Sequence, residues 1–249
     1  MKFLLTLLIL VFGNQAFACD CSFSTPTNSF VGSDFVGRIK ILKVYPNQGK
    51  EQIYRADVQV VEHFKGPNLN FIYVYGRSDE KFGTSCSVFF PEGSDLLVTA
   101  HAKDDGRYVF GMCDYKINFK TNYRSKQRDL EFIRALSRYD NSITAHYIPY
   151  ISPNFTLFLK SKNGIVLKEN FALFEVVLDD QVNPSQVEII KGFGDELDVE
   201  IVKELYQSTW KLNYYLESDK IDGAVKLIVA VYYYPAAEEY ESFISIFAV

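Results

Sequence analysis

Histidine and cysteine are scarce in this chain, three and four residues among 249. The histidines His63, His101 and His146 are scattered and show no H-E-x-x-H spacing, so no resident metal centre is expected. A serine hydrolase would need a G-x-S-x-G elbow, and none is present. No glycine-rich loop opens a helix in the way phosphate binding requires. The acidic turns Asp104-Asp105-Gly106 and Asp179-Asp180 lack the full EF-hand spacing for calcium. A formal charge of −5 and a pI near 5.3 argue against nucleic acid as a partner. Beyond residue 18 no apolar run approaches the ~20 residues that span a bilayer. These absences predict a protein that is not an enzyme, holds no cofactor or metal, and has no transmembrane helix once mature.

What is abundant is aromatic and aliphatic. Hydrophobic residues make up 48% and aromatics 16%, with 21 Phe and 17 Tyr. Such a chain can bury enough apolar surface to offset the entropy of ordering, which excludes disorder. With 14 Gly and no persistent heptad, collagen and coiled-coil classes are excluded too.

The first eighteen residues read as a secretory signal. Lys2 precedes the apolar run Phe3–Phe12, and Ala16-Phe17-Ala18 forms an A-x-A site. Cleavage after Ala18 makes Cys19 the first mature residue. A lipoprotein signal also ends before a cysteine, but Ala16 and Phe17 do not suit one, so simple cleavage is preferred to acylation. The mature chain is expected to be exported, periplasmic or secreted, where disulfides persist. Four cysteines allow three pairings. A bridge between Cys19 and Cys21 is strained, which leaves two pairings in which each reaches one of Cys86 and Cys113.

Charge changes sign along the chain. From Cys19 to Asp140 there are 17 Lys/Arg and 15 Asp/Glu; from Asn141 to Val249 there are 8 and 16. All four cysteines lie in the first part and the only tryptophan, Trp210, in the second. The predicted organisation is a signal over 1–18, a domain over 19–140, a linker over 141–153 and a second domain over 154–249 with its core at 171–234. A helix over Ser125–Ser137, with Leu130, Ile133 and Leu136 on one stripe, closes the first domain.

In that first domain, strand-like stretches Phe35–Val44, Ile53–Phe64, Leu69–Tyr75, Leu96–Ala100 and Tyr108–Met112 alternate with turn signals. Five such strands predict a small Greek-key barrel of the OB type. Cys19-Asp20-Cys21, Phe35-Val36-Gly37-Arg38-Ile39, Phe64-Lys65-Gly66-Pro67, Ser85-Cys86 with Phe90, Gly93 and Leu96-Leu97-Val98, and Gly111-Met112-Cys113 together resemble the netrin-like domain of the tissue inhibitors of metalloproteinases. The secreted bacterial relatives look especially similar. The resemblance implies the pairs Cys19–Cys86 and Cys21–Cys113. It also implies that the free amine and carbonyl of Cys19 chelate the zinc of a target protease, with Asp20 entering the adjacent specificity pocket. Two features depart from the family pattern. Asp20 is acidic where that pocket is largely apolar, and the family's third disulfide in this domain is missing.

In the second part, the hairpin of Ala172–Leu178 and Gln186–Phe193 precedes a helix from Asp195, with Leu197, Ile201, Val202 and Leu205 on one face. Ala224–Tyr234 is a long final strand. This β-β-α-β order resembles the C-terminal domain of TonB, which binds peptides by pairing at a sheet edge. That resemblance implies a strand-pairing edge at Val225, Leu227, Val229 and Val231. TonB also keeps an uncleaved membrane helix and a long Pro-rich linker, and this chain has neither. The whole therefore reads as mainly β with an α+β second half. Its expected function is that of a noncatalytic, exported bacterial envelope protein whose two domains bind an unnamed protein partner. The alternative is a metalloprotease inhibitor acting through Cys19.

Overall fold

The computed structural model describes residues 19, 21, 25–48, 51–79, 85–121, 125–139, 150, 151, 153–194, 196–211 and 223–246. The expected signal peptide, Asp20, most of the expected linker, His146 and Asp195 lie outside the described residues.

Five strands form the closed barrel that the sequence pattern predicts. They are β1 (Phe35–Val44), β2 (Ile53–Lys65), β3 (Phe71–Tyr75), β4 (Asp95–Ala102) and β5 (Tyr108–Phe110). The order is β1-β2-β3-β5-β4, and β1 closes the ring by pairing with β4 from Phe35↔Ala100 to Lys40↔Asp95. All contacts are antiparallel except β3 with β5. Alternation explains β2, where Tyr54, Ala56 and Val58 are buried between the outward Arg55, Asp57 and Gln59. Inside the barrel these meet Phe35, Ile39, Ile41, Ile72, Val74, Leu96, Val98 and Phe110. Gly66 turns β2 toward β3 at φ +83°, and a Cβ there would sit 2.0 Å from the Asp34 carbonyl oxygen. Only glycine fits that approach. A sixth strand, β6 (Lys116–Asn118), adds to β4, with Leu97 opposite Ile117.

Two helices cover one outer side of the barrel. In α1 (Pro26–Gly32), Thr25 Oγ1 accepts from the Asn28 amide and Pro26 occupies the first turn. Lys65 Nζ donates to the carbonyls of Phe30 and Val31 at its far end. The second helix, α2 (Lys126–Arg138), buries Leu130, Phe132, Ile133 and Leu136.

The remaining chain forms a four-stranded antiparallel sheet of β8 (Phe171–Leu178), β9 (Pro184–Lys191), β11 (Val225–Tyr234) and β12 (Phe243–Ser245), ordered β12-β11-β8-β9. Helices α3 (Pro153–Lys160) and α4 (Glu196–Gln207) accompany it, as does a two-residue pairing of β7 (Tyr150–Ile151) with β10 (Trp210–Lys211). One sheet face, with Phe174, Val176, Leu227 and Val229, packs with Leu197, Ile201 and Leu205 of α4, Phe155 of α3, and Trp210. Asp198 ties down the start of α4. Its carboxylate accepts from the amides of Phe193 and Gly194, both at 2.8 Å.

The other sheet face joins the barrel. Phe171, Leu173, Ile228 and Tyr232 share an apolar layer with Phe132, Leu136, Phe30, Val36, Leu97 and Ile117. The Phe132 ring lies 5.4 Å from that of Phe171 and 5.5 Å from that of Tyr232. The Arg128 guanidinium sits 4.9 Å and 5.0 Å above the rings of Tyr232 and Tyr234. The layer is thus built from both sides of the change in charge near residue 140.

Removing a ring from this layer should be felt on both sides. Phe132→Ala is expected to cost about 3–5 kcal/mol through lost burial and the cavity left behind. Denaturant unfolding followed by Trp210 fluorescence should show the loss, although Trp210 lies in the other core. An unmoved Trp210 transition would show that the layer does not couple the two parts.

Candidate functional site

The four cysteines converge at one end of the barrel. Cys19 is bonded to Cys86 and Cys21 to Cys113, each with Cα atoms 5.2 Å apart. Residues at positions 19 and 21 are thus attached to two separate barrel connections.

The first attachment, residues 85–90, runs along the barrel without being a strand. The Val88 amide donates to the Tyr75 carbonyl at 3.1 Å, next to Gly76. A Cβ on Gly76 would stand 2.0 Å from the Val88 carbonyl oxygen, so the close approach needs glycine. The Phe90 amide donates to the hydroxyl of Tyr54 at 2.9 Å, from inside the barrel. Burial pushes the Tyr54 hydroxyl up to about 12, against the opposing effect of that hydrogen bond. Rings add to this: Phe90 stacks on Phe110 at 5.7 Å and Phe89 tilts on Tyr54 at 5.9 Å.

The second attachment is the loop from Gly111 to Asp114. Asp114 accepts from the Gly111 amide at 2.6 Å and faces Nε2 of His101 on β4 at 3.2 Å. Lys116 Nζ donates to the carbonyls of Met112 and Asp114 at 2.5 and 3.1 Å, one on each side of Cys113. Burial lowers the Lys116 ammonium below its usual range, opposed by the nearby Asp114 charge.

The sulfurs of Cys19, Cys21 and Cys113 lie within 4.8 Å of one another, a metal-ligand spacing. Each belongs to a disulfide, and it is the thiolate that binds metal, so the cluster is not a metal site as it stands. Of the histidines, His63 engages the Gly66 carbonyl and His101 engages Asp114; they share no ligand position.

The second set of predicted site residues lies elsewhere. Along β11, Val225, Leu227, Val229 and Val231 pair with Leu178, Val176, Phe174 and Ala172 of β8. On the other side of β11, β12 pairs only with Tyr232, Tyr233 and Tyr234. Among the described residues, the 225–231 edge is therefore paired on one side. Leu227, Val229 and Val231 are buried, so what the edge presents is backbone.

Sequence reasoning missed the residues that fix the cysteine attachments, namely Tyr54, Gly76, His101 and Asp114. The only local signal was Gly76 directly after a strand.

The His101–Asp114 contact carries a pH signature. The hydrogen bond that His101 donates to the Asp114 carboxylate raises the His101 pKa above its ordinary value near 6.5; burial opposes this, Asp114 and Asp34 charges add to it, and Lys103 subtracts. The contribution of this contact is therefore fully present below pH 6.5 and fades as pH rises through the folded-state midpoint. A proton NMR titration should place His101 above 6.5, and Asp114→Asn should lower it. A midpoint unaffected by Asp114→Asn would mean that the pair does not hold the loop.

A five-stranded barrel with its N-terminal segment tied to two connections by adjacent disulfides can be compared with known proteins. The family model for tissue inhibitor of metalloproteinase matches residues 17–142, which is 126 of the 249 positions. Metalloproteinase inhibitor 2 of Canis lupus familiaris and that of Homo sapiens are each 23% identical over 133 residues. Each match covers 50% of this chain and 59% of the relative. The matched part is the barrel with its cysteines and α2, and the chain belongs to the tissue inhibitor of metalloproteinase family.

Proposed function

We propose that the mature chain is an exported, noncatalytic binding protein that caps the zinc of a partner metalloproteinase with the α-amino nitrogen and carbonyl oxygen of Cys19. The observation that carries this reading is the double tether. Two bridges hold positions 19 and 21 to two separate connections of one barrel, so an N-terminus at Cys19 would be presented with little freedom. An amine and its own carbonyl close a five-membered chelate ring. With a pKa near 7.7–8.0, a substantial fraction of the amine is neutral near pH 7.5 and can donate its lone pair. A catalytic zinc keeps one position open for such a ligand. The names of the two relatives support a metalloproteinase as the partner class. Within the uncleaved chain the Cys19 nitrogen is an amide, so cleavage after Ala18 is a condition of the activity. Acylation of the Cys19 sulfur would remove its bridge and with it the rigid presentation of the chelate.

Asp20 sets the selectivity. Its carboxylate would enter the pocket beside the zinc, and burying it unpaired costs several kcal/mol. The reading therefore favours a protease with a basic or polar pocket in the periplasm or outside the cell.

The second half is proposed as a protein-binding module of the TonB C-terminal type. The succession β8, β9, α4, β11, with β8 central between β9 and β11, supports that reading. Its docking element would be the backbone of Val225–Val231. In this arrangement residues 19–140 hold the protease and residues 154–249 hold an envelope or extracellular protein, joined through 141–153.

The test is a panel of zinc proteases titrated with mature protein whose N-terminus is verified as Cys19 by intact mass. Inhibition is expected, and acetylation of the α-amine should abolish it. Against proteases with apolar pockets, Asp20→Thr should raise affinity by about tenfold, equivalent to ~1.4 kcal/mol. No inhibition of any protease by either form would leave the tether as a staple of the barrel and nothing more.

A further inference from the structure

The two disulfides are packed as one sulfur cluster. Cys19 Sγ lies 3.8 Å from Cys113 Sγ and 3.9 Å from Cys21 Sγ, the two members of the neighbouring bridge. None of the four cysteines is fully buried: Cys113 is exposed, and Cys19, Cys21 and Cys86 are half-buried. The Lys116 ammonium, bound to the carbonyls on both sides of Cys113, adds positive charge where a thiolate would form. Asp114 is the one acidic neighbour in that loop, and it is engaged by the Gly111 amide and His101.

We propose that thiol-catalysed exchange within this cluster converts the pairing Cys19–Cys86 and Cys21–Cys113 into Cys19–Cys113 and Cys21–Cys86, moving Cys19 from the 85–90 connection to the 111–114 loop. This is a means of regulating the proposed chelate, and its use rests on that reading while its chemistry does not. An external thiolate attacks Cys21 Sγ, forming a mixed disulfide, and the electron pair of the broken bond leaves on Cys113. The Cys113 thiolate, already 3.8 Å from Cys19 Sγ, attacks it; Cys19–Cys113 forms and Cys86 leaves as the thiolate. The Cys86 thiolate then attacks Cys21 in the mixed disulfide, forming Cys21–Cys86 and releasing the external thiolate. Two bridges exist before and after, no net electrons move, and the thiol is regenerated. A small-molecule thiol outside the cell suffices. The exchanged form would carry the same mass and the same absence of free thiols, with the chelating residue anchored to a different loop.

The test reads sulfur pairing directly. Mature protein is incubated in a buffer of reduced and oxidised glutathione, quenched with acid, and digested by a protease that cuts before aspartate. Cleavage before Asp20 separates Cys19 from Cys21, so unreduced peptide masses identify each partner. Cys19–Cys113 is expected in at least ~1% of molecules, the range of a populated minor state. Its absence at that level would overturn the proposal. Independently, Cys21→Ser/Cys86→Ser keeps only Cys19 and Cys113. It should close its bridge to within about tenfold of the extent reached by Cys21→Ser/Cys113→Ser, a difference of ~1.4 kcal/mol. An open dithiol in a buffer that closes the second variant also overturns the proposal. Exchange in a protein that inhibits no protease would leave the chemistry standing and remove only its use; an inhibitor that never exchanges sinks the exchange alone.

Discussion

Closure of the barrel depends on one strand serving two neighbours. β1 pairs with β2 along one edge and with β4 along the other, so ten residues carry the join that turns an open sheet into a ring. The double duty requires irregularity: register shifts fall at Val36/Gly37, Arg38/Ile39 and Ile41/Lys43 against β2. Bulges of this kind bend a strand and raise its twist, which a five-stranded ring demands. Gly37 suits one of these bends, since a Cβ there would come within 2.6 Å of the Phe35 ring. With the ring closed, Tyr54, Phe90 and Gly76 have fixed positions, and the connection bearing Cys86 follows from them.

The second half is organised by its two-sided sheet. Residues alternate between a core shared with α4 and a layer shared with α2, so β8 and β11 are buried on both faces. A strand of this kind loses the polar alternation of a half-exposed one, and Phe171–Leu178 is accordingly apolar except for Glu175. Glu175 is buried and pairs with Lys226 on β11 at 3.0 Å, a charge inside the layer that keeps its partner. Water reaches the sheet at the edge strand β9, where Ser185, Gln186, Glu188 and Ile189 are exposed.

How much could be read from the chain depended on length and period. The extents of β1, β2, β8, β11 and α2 follow closely from apolar periodicity and turn residues, because each runs long enough for a pattern to show. The three-residue strands β6 and β12 and the helices α1 and α3 were not legible. Ile117 and Ile244 are each the single buried residue of a three-residue strand, and one residue has no period. Around the cysteines, the C-x-C opening and the later Ser85-Cys86 and Gly111-Met112-Cys113 stood out as motifs. On the residues alone two pairings stayed open, since spacing along the chain carries no distance across it. Asp114 and Tyr54 were invisible for the same reason. Tyr54 accepts from the Phe90 amide, and Asp114 meets His101 of β4; only the folded ring brings either pair together.

The bridges span 67 and 92 residues and begin two positions apart, so the shorter loop lies almost entirely within the longer. That arrangement orders events during synthesis. Cys19 and Cys21 emerge first and, until Cys86 appears, have only each other to pair with. At ~5–20 residues per second, a 67-residue wait lasts on the order of 3–13 s. The earliest oxidation open to the nascent chain is therefore a wrong one, between two residues whose mutual bridge is strained. The Cys19–Cys86 bridge can close before β4 and β5 have been made, whereas Cys21–Cys113 must wait for residue 113, by which time all five strands exist. Closure of the second bridge then confirms a topology already reached and does not guide it. A cell making this protein would need disulfide isomerase capacity as well as oxidase capacity, in proportion to how fast it secretes.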